Sequence, residues 1–258
     1  MKPTEFRDTL RNRIMAVFEP DPGILAAWEG GSAATGYLDD YSDLDLGIVV
    51  RNDYVEESFK LFEDLLEADY GIKHRLRIPE PAWHGHSQCF YFLKTSPPLF
   101  YVDFLVEKES AENRLIEPDR HGISLVWLNR SGILSPLATP VDTMKEKCRL
   151  FFRRQMENYP IFDTQVRKQI LRGRKIDAML EYQIFIQRVL AGFLNLKYRP
   201  AKYDFGIRYG DRDYPAEVAE RVCRLFYPGS PGDLESGFEE ASAWAQELME
   251  DLKKVMVE

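Results

Sequence analysis

Cysteine is scarce in this chain of 258 residues, with three in all: Cys89, Cys148 and Cys223. They lie far apart and make an odd number, which excludes a dense disulfide framework and leaves reduced cytoplasm as the expected setting. Long apolar runs are missing as well; none approaches the ~20 residues that a bilayer-spanning helix requires. The opening residues, MKPTEFRDTLRNR, carry charge throughout and lack the apolar centre of a secretory signal, so no signal peptide is expected. Positive charge is not in surplus either: 34 Lys and Arg stand against 42 Asp and Glu, a net charge of −8. A protein that grips long nucleic acid through its phosphates needs a basic face, so a small substrate is the better expectation. Internal repeats and low-complexity tracts are also absent. With 45% hydrophobic and 29% charged residues, the composition is that of an ordinary globular protein, and its length suits one large domain or two modest ones.

The residues that carry chemistry are concentrated in positions 30–50, GGSAATGYLDDYSDLDLGIVV. A Gly30-Gly31-Ser32 turn follows the apolar run 24–28, small residues come next, and Asp43-Leu44-Asp45 opens a strand-like run to Val50. Along a strand, side chains i and i+2 project from one face, so Asp43 and Asp45 stand side by side while Leu44, Leu46 and Ile48 point the other way. Two carboxylates so placed repel each other unless the face is well solvated or a cation lies between them, and a hard divalent ion with oxygen ligands is the natural partner. The glycines let backbone approach a phosphate, Ser32 adds a hydroxyl donor, and the amides of a following helix attract anions. Phosphate cradle and paired acids together read as a metal-nucleotide site. The plainer alternative is that Asp39, Asp40, Asp43 and Asp45 only solubilise a loop and an edge strand.

This combination resembles the signature of the DNA polymerase beta-like nucleotidyltransferase superfamily, in which a Gly-Ser turn precedes a Ser-Asp-x-Asp strand; Ser42-Asp43-Leu44-Asp45 matches it without a gap. In those families a later strand supplies a third carboxylate, and the run Tyr-Val-Asp-Phe-Leu-Val around Asp103 is similar to that element. Asp103 lies between Val102 and Phe104, where an unpaired charge costs roughly several kcal/mol; a place on the wet face of an edge strand is the alternative. The resemblance implies an α+β nucleotidyltransferase domain over residues 1–140, a mixed β-sheet flanked by helices. It implies in-line attack by an acceptor hydroxyl on the α-phosphate of ATP or another nucleoside triphosphate, with pyrophosphate leaving and AMP the expected transferred group. Mg2+ would be held by Asp43, Asp45 and Asp103, and the nucleotide by Gly30, Gly31, Ser32 and Ser42.

Elsewhere the periodicities are readable. Phe6, Leu10, Ile14, Val17 and Phe18 follow Thr4 at helical spacing, so residues 4–18 read as an amphipathic helix ended by Pro20-Asp21-Pro22-Gly23. Residues 24–29 form a first strand, residues 43–50 a second, and residues 54–69 a helix that covers the sheet. Two aromatic-rich strands, 88–94 and 99–107, are joined by Thr95-Ser96-Pro97-Pro98 as a hairpin. Residues 123–128 offer one more strand before Pro136 and Pro140 mark the expected domain boundary.

From Val141 the pattern turns helical. Residues 145–175 carry many basic side chains, read mainly as a solvated helix face. Residues 174–196 form a helix apolar nearly all round, with Arg174, Asp177, Glu181 and Arg188 on one stripe; the stripe is either a ladder of ion pairs or faces a cleft. The segment 197–215 has the composition of a loop closing over a ligand, or of a surface connection, and residues 233–258 read as a covering helix. This half resembles, more loosely, the helical domain of the bacterial aminoglycoside and lincosamide nucleotidyltransferases. The resemblance implies an all-α helical bundle domain over 141–258 that completes a substrate cleft, a hydroxylated small-molecule acceptor, and Glu181 as general base with Asp177 second. A membrane partner is not expected; the oligomeric state is open, a homodimer included. Rival readings are a non-catalytic nucleotide- or partner-binding module, a protein-nucleotidylating enzyme, and a zinc site built from His84, His86 and Cys89 with His74.

Overall fold

The computed structural model of the protein describes residues 3–80 and 82–256; the last two positions of the expected covering helix lie outside the described residues. The chain divides into two compact units, one reaching to Ala138 and one starting at Thr139. No described helix is long and apolar enough to cross a membrane.

The first unit contains helices α1 (Pro3–Phe18), α2 (Gly31–Thr35), α3 (Val55–Asp69) and α4 (Pro118–His121). Its strands are β1 (Ile24–Glu29), β2 (Leu44–Val50), β3 (Ile72–Arg77), β4 (Ser87–Leu93), β5 (Val102–Lys108) and β6 (Leu125–Asn129). They form one mixed sheet in the order β3-β4-β5-β2-β1-β6, with β2 parallel to β5 and the other neighbours antiparallel. Period-two alternation decides which face each side chain takes. Leu44, Leu46 and Ile48 of β2 and Val102, Phe104 and Val106 of β5 are buried in one cluster with Leu10, Ile14 and Phe18 of α1 and Phe59, Phe62 and Leu66 of α3. The opposite face carries a smaller cluster of Ala26, Trp28, Val49, Ile116 and Leu134.

Edge strand β3 is not anticipated by the sequence reading. Its run Ile-Lys-His-Arg-Leu-Arg is largely exposed, and charge at a sheet edge, which discourages edge-to-edge pairing, also hides the strand signal. The β4–β5 connection is longer than a hairpin turn: Leu99 takes a positive φ of 70° after two prolines, and β5 begins only at Val102.

The second unit is all helical: α5 (Val141–Leu171), α6 (Lys175–Phe185), a π turn (Ile186–Leu190), α7 (Ala191–Tyr198), α8 (Gly210–Asp213), α9 (Ala216–Phe226) and α10 (Pro231–Met256). Its core gathers Phe152, Tyr182, Phe185, Phe193, Leu194 and Phe238. A mixed sheet flanked by helices and followed by a helical unit is the fold class read from the sequence. Two details differ. Ile176 and Leu180 are exposed, because Ala178, Tyr182 and Phe185 alone supply the buried face of α6. Arg174 and Asp177 pair at 4.0 Å, and a π turn that contains Arg188 interrupts the helix expected to run unbroken over 174–196. The segment 197–215 is fastened to its own unit. Buried Arg199 donates to Asn195 Oδ1 at 2.7 Å, to the carbonyls of Arg208 and Gly206 at 2.7 Å each, and to Asp213 at 3.3 Å.

Phe104 is the pivot of the first core: fully buried, it packs against Phe62 at a centroid distance of 4.3 Å and edge-on against Phe59 at 5.2 Å. Phe104→Ala is expected to cost about 3–5 kcal/mol of unfolding free energy in denaturant titration; a loss below about 1 kcal/mol would contradict this packing.

Candidate active site

Three carboxylates meet at one end of the sheet. The parallel register sets Asp45 beside Asp103, on the face opposite buried Leu44, Leu46 and Phe104, and Asp43 precedes the first residue of β2. All three are half-buried, and each is pushed up from the ordinary carboxylate range, burial being the first cause. Burial, then Asp103, then Asp43 push Asp45 up to about 6. Burial raises Asp103 as well; a hydrogen bond from Gln88 opposes the rise and the charge of Asp43 adds to it. Asp43 is raised by burial and held back by hydrogen bonds from the side chain and backbone of Tyr101.

Arg7 favours the charged forms of Asp43 and Asp45, yet its guanidinium is committed elsewhere. Its Nε lies 2.6 Å from Glu29 Oε1, its NH2 also bonds that oxygen, and its NH1 donates to the Asp43 carbonyl. Arg7 and Glu29 are both buried. They tie α1 to the end of β1 and to the backbone that delivers Asp43.

The glycine turn lies flush against this cluster. Gly30 donates its amide to the Asp45 carbonyl at 2.9 Å, extending the β1–β2 ladder into the turn. Gly31 has a φ of +54°, and a Cβ there would fall 1.7 Å from Asp45 Oδ2, so only glycine fits. Ser32 Oγ is buried and has no hydrogen-bond partner, a state that costs about 1–3 kcal/mol until a partner arrives. Ser42 is already engaged: its hydroxyl accepts from the Asp39 amide and donates to Asp39 Oδ1, both at 2.9 Å, which fixes the loop ahead of Asp43. Glu181 and Asp177 lie on α6 of the helical unit.

Behind Asp103 runs a chain of polar groups. Gln88 Nε2 donates to Asp103 Oδ1 at 2.7 Å; Gln88 Oε1 lies 3.2 Å from His84 Nε2; His84 Nδ1 accepts from the His86 amide at 3.1 Å. The His86 ring stands 3.7 Å from fully buried Glu107, which also takes a 2.9 Å hydrogen bond from Arg114. Burial, then the neighbouring His84 and Arg114, push His86 down to about 4, so it is neutral at pH 7. Burial pushes Glu107 up to about 6. Cys89 packs in the opposite, helix-covered core, so the two histidines and this thiol do not converge as a zinc site. His74 sits on β3 with its ring 6.2 Å from Phe92.

Among the described residues no group of three or more acidic, histidine or cysteine side chains is placed so that it could hold a metal ion. Four residues with evident work here escaped the sequence reading: Arg7, Glu29, Gln88 and Tyr101. Only Arg7 left a usable signal, since it shares the apolar stripe of α1 with Leu10 and Ile14, and a buried guanidinium must find a partner.

No family model matches the chain, and no curated protein matches it. Solved structures do resemble it. A nucleotidyltransferase-like protein from Exiguobacterium sibiricum is 13% identical with a TM-score of 0.40, over 95% of this chain and 75% of that one. A spectinomycin adenyltransferase from Enterococcus faecialis, solved with ATP and spectinomycin, is 12% identical with a TM-score of 0.36, over 95% and 98%. An aminoglycoside 6-adenyltransferase from Bacillus subtilis is 11% identical with a TM-score of 0.30, over 97% of each chain.

The acidity of Asp45 makes a prediction about stability. A carboxyl that is a weaker acid folded than unfolded binds more protons in the native state between pH ~4 and ~6, so its contribution to stability falls as pH rises through that window and stays lost above it. Asp45→Asn is therefore expected to stabilise the first unit by about 1–3 kcal/mol at pH 8 and by little at pH 4. Equal melting shifts at both pH values would contradict the raised pKa of Asp45. Gly31→Ala is expected to destabilise by at least about 1 kcal/mol, since it combines backbone strain with displacement of the Asp45 carboxylate; an unchanged denaturation midpoint would show that the turn does not press on Asp45.

Proposed function

We infer that the protein is a nucleotidyltransferase: it moves a nucleoside monophosphate, AMP the expected one, from a nucleoside triphosphate to a hydroxyl of a small molecule, releasing pyrophosphate. The observation that carries this reading is the placement of Asp45 beside Asp103 on parallel strands, with Asp43 adjoining and the Gly30–Ser32 turn lying against Asp45. The donor set fits a divalent cation. It is all oxygen and half-buried, and Asp43 and Asp103 take their side-chain hydrogen bonds from the uncharged Tyr101 and Gln88. Mg2+ takes one or two carboxylates and completes its shell from water and substrate phosphate rather than from a closed protein cage. Asp43, Asp45 and Asp103 would hold it. Such an ion, when bound, offsets triphosphate charge and lowers the cost of deprotonating the acceptor hydroxyl.

The chain's own residues do the rest. Gly30 and Gly31 present backbone with no side chain in the way, which suits close approach of phosphate oxygens. The partnerless Ser32 hydroxyl supplies a donor for them. Strands rather than loops carry Asp45 and Asp103, so the distance between these charges is set before substrate arrives and positioning is not left to the reaction itself. In this reading residues 1–140 form the catalytic domain, residues 141–258 recognise the acceptor, and Glu181, with Asp177 second, takes the acceptor's proton. The acidic balance of the chain, −8 overall, favours a small acceptor over RNA, and three free cysteines suit reduced cytoplasm.

Incubation with each nucleoside triphosphate, Mg2+ and a panel of hydroxylated small molecules, read by mass spectrometry, is expected to give a nucleotide adduct and pyrophosphate. Asp45→Asn is expected to abolish transfer, a fall of at least about 1000-fold, while the variant stays folded; full turnover in that variant would refute the assignment. Burial and the neighbouring carboxylates push Asp45 up to about 6, so proton and Mg2+ compete for it: at sub-saturating Mg2+, kcat/KM should fall as pH drops below that value, and raising Mg2+ should move the fall to lower pH; an acid limb indifferent to Mg2+ would remove Asp45 from the ion's site.

A further inference from the structure

We propose that His84 and Gln88 are positioning residues for Asp103, forming a neutral hydrogen-bonded relay that sets which oxygen of that carboxylate remains free; the proposal rests on the nucleotidyltransferase reading. The direction of every bond in the relay follows from one fixed donor. The His86 backbone amide can only donate, and it donates to His84 Nδ1 at 3.1 Å. Nδ1 must then be the bare nitrogen, so the neutral ring carries its proton on Nε2. That proton points at Gln88 Oε1, 3.2 Å away, which settles the orientation of the Gln88 amide. Its NH2 group is left to donate to Asp103 Oδ1 at 2.7 Å. Oδ1 is thereby pinned and Oδ2 is the oxygen left to ligate.

The surroundings hold the relay rigid. His84 and His86 are buried, their rings stacked at 5.5 Å. Trp83 abuts the His84 ring edge-on at 5.1 Å, and Asn113 Nδ2 donates to the His84 carbonyl at 3.0 Å. None of this is explained by packing alone: an apolar residue at 84 would fill the same space and leave Gln88 free to rotate.

Two measurements test the relay. Long-range 1H–15N spectra of the wild-type protein at pH 7.5, without metal or nucleotide, are expected to show His84 as the Nε2–H tautomer; an Nδ1–H tautomer or an imidazolium would overturn the proposal. Mn2+ titration in the presence of ATP is expected to show about tenfold weaker binding in Gln88→Leu and His84→Phe. His84→Gln keeps a donor at the same reach and should stay within about threefold of wild type. If wild type binds Mn2+ and both Gln88→Leu and His84→Phe match it, or if His84→Gln fails as badly as His84→Phe, the relay is wrong and the nucleotidyltransferase reading stands. If wild type itself binds no Mn2+ with ATP, both fall.

Discussion

Parallel pairing of β2 with β5 brings two carboxylates onto adjacent strands, and much of the first unit is arranged around holding them there. A parallel pair cannot be joined by a tight turn; the chain inserts α3, β3 and β4 between the two strands. The same register that sets Asp45 against Asp103 sets Leu44 against Val102 and Leu46 against Phe104, and these four are buried. Burying each such side chain is worth about 1.5–3 kcal/mol, against a cost of about 3 kcal/mol, burial first and repulsion second, for a carboxyl pushed up to about 6. The apolar side of the sheet therefore wins, and the acids stay together although they would separate if free.

What surrounds the acids is chosen to orient them without neutralising them. Tyr101 bonds Asp43 and Gln88 bonds Asp103, both through uncharged donors. The nearby guanidinium of Arg7 faces Glu29 instead, and its remaining reach goes to a backbone carbonyl. A buried ion pair of this kind adds little net stability, but losing one partner leaves an uncompensated charge, which costs about 3–5 kcal/mol. Its position at the junction of α1, β1 and the Asp43 backbone suggests why it is kept: it fixes the geometry of the strand entry. Stability is surrendered at the cluster and recovered in the two faces of the sheet, the pattern expected where function opposes stability.

The sequence made some of this legible and concealed the rest for identifiable reasons. Spacing of two residues put Asp43 and Asp45 together, and alternation assigned Leu44 and Leu46 to the core. That Asp103 stands beside Asp45 depends on the register of strands far apart in the chain, which local pattern does not encode; the likeness to a known superfamily supplied that expectation. The purpose of Gly31 was readable as close approach, but toward a phosphate, whereas the structure shows that its first neighbour is Asp45 itself. β3 was lost because an edge strand can be mostly charged. The helix expected over 174–196 is interrupted by a π turn at Ile186–Leu190, which leaves no simple mark in composition. Gln88 and His84 could not be ranked, since their significance lies in hydrogen-bond direction.

Direction also explains the choice of residue types behind Asp103. An arginine or lysine at position 88 would satisfy the carboxylate more strongly, but it would also cancel the charge that a cation needs and compete with it for the same oxygens. An amide donates one proton and leaves the charge in place. Its weakness is ambiguity, because glutamine can present oxygen as easily as nitrogen, and oxygen toward Asp103 would repel. A histidine that is itself a donor removes the ambiguity only if its own tautomer is decided, and of the three donors in this relay only the backbone amide has no alternative state. The order in which specification passes, from the His86 main chain to imidazole to amide to carboxylate, thus runs from the least variable group to the most variable, and each step uses a group whose remaining freedom is removed by the one before it.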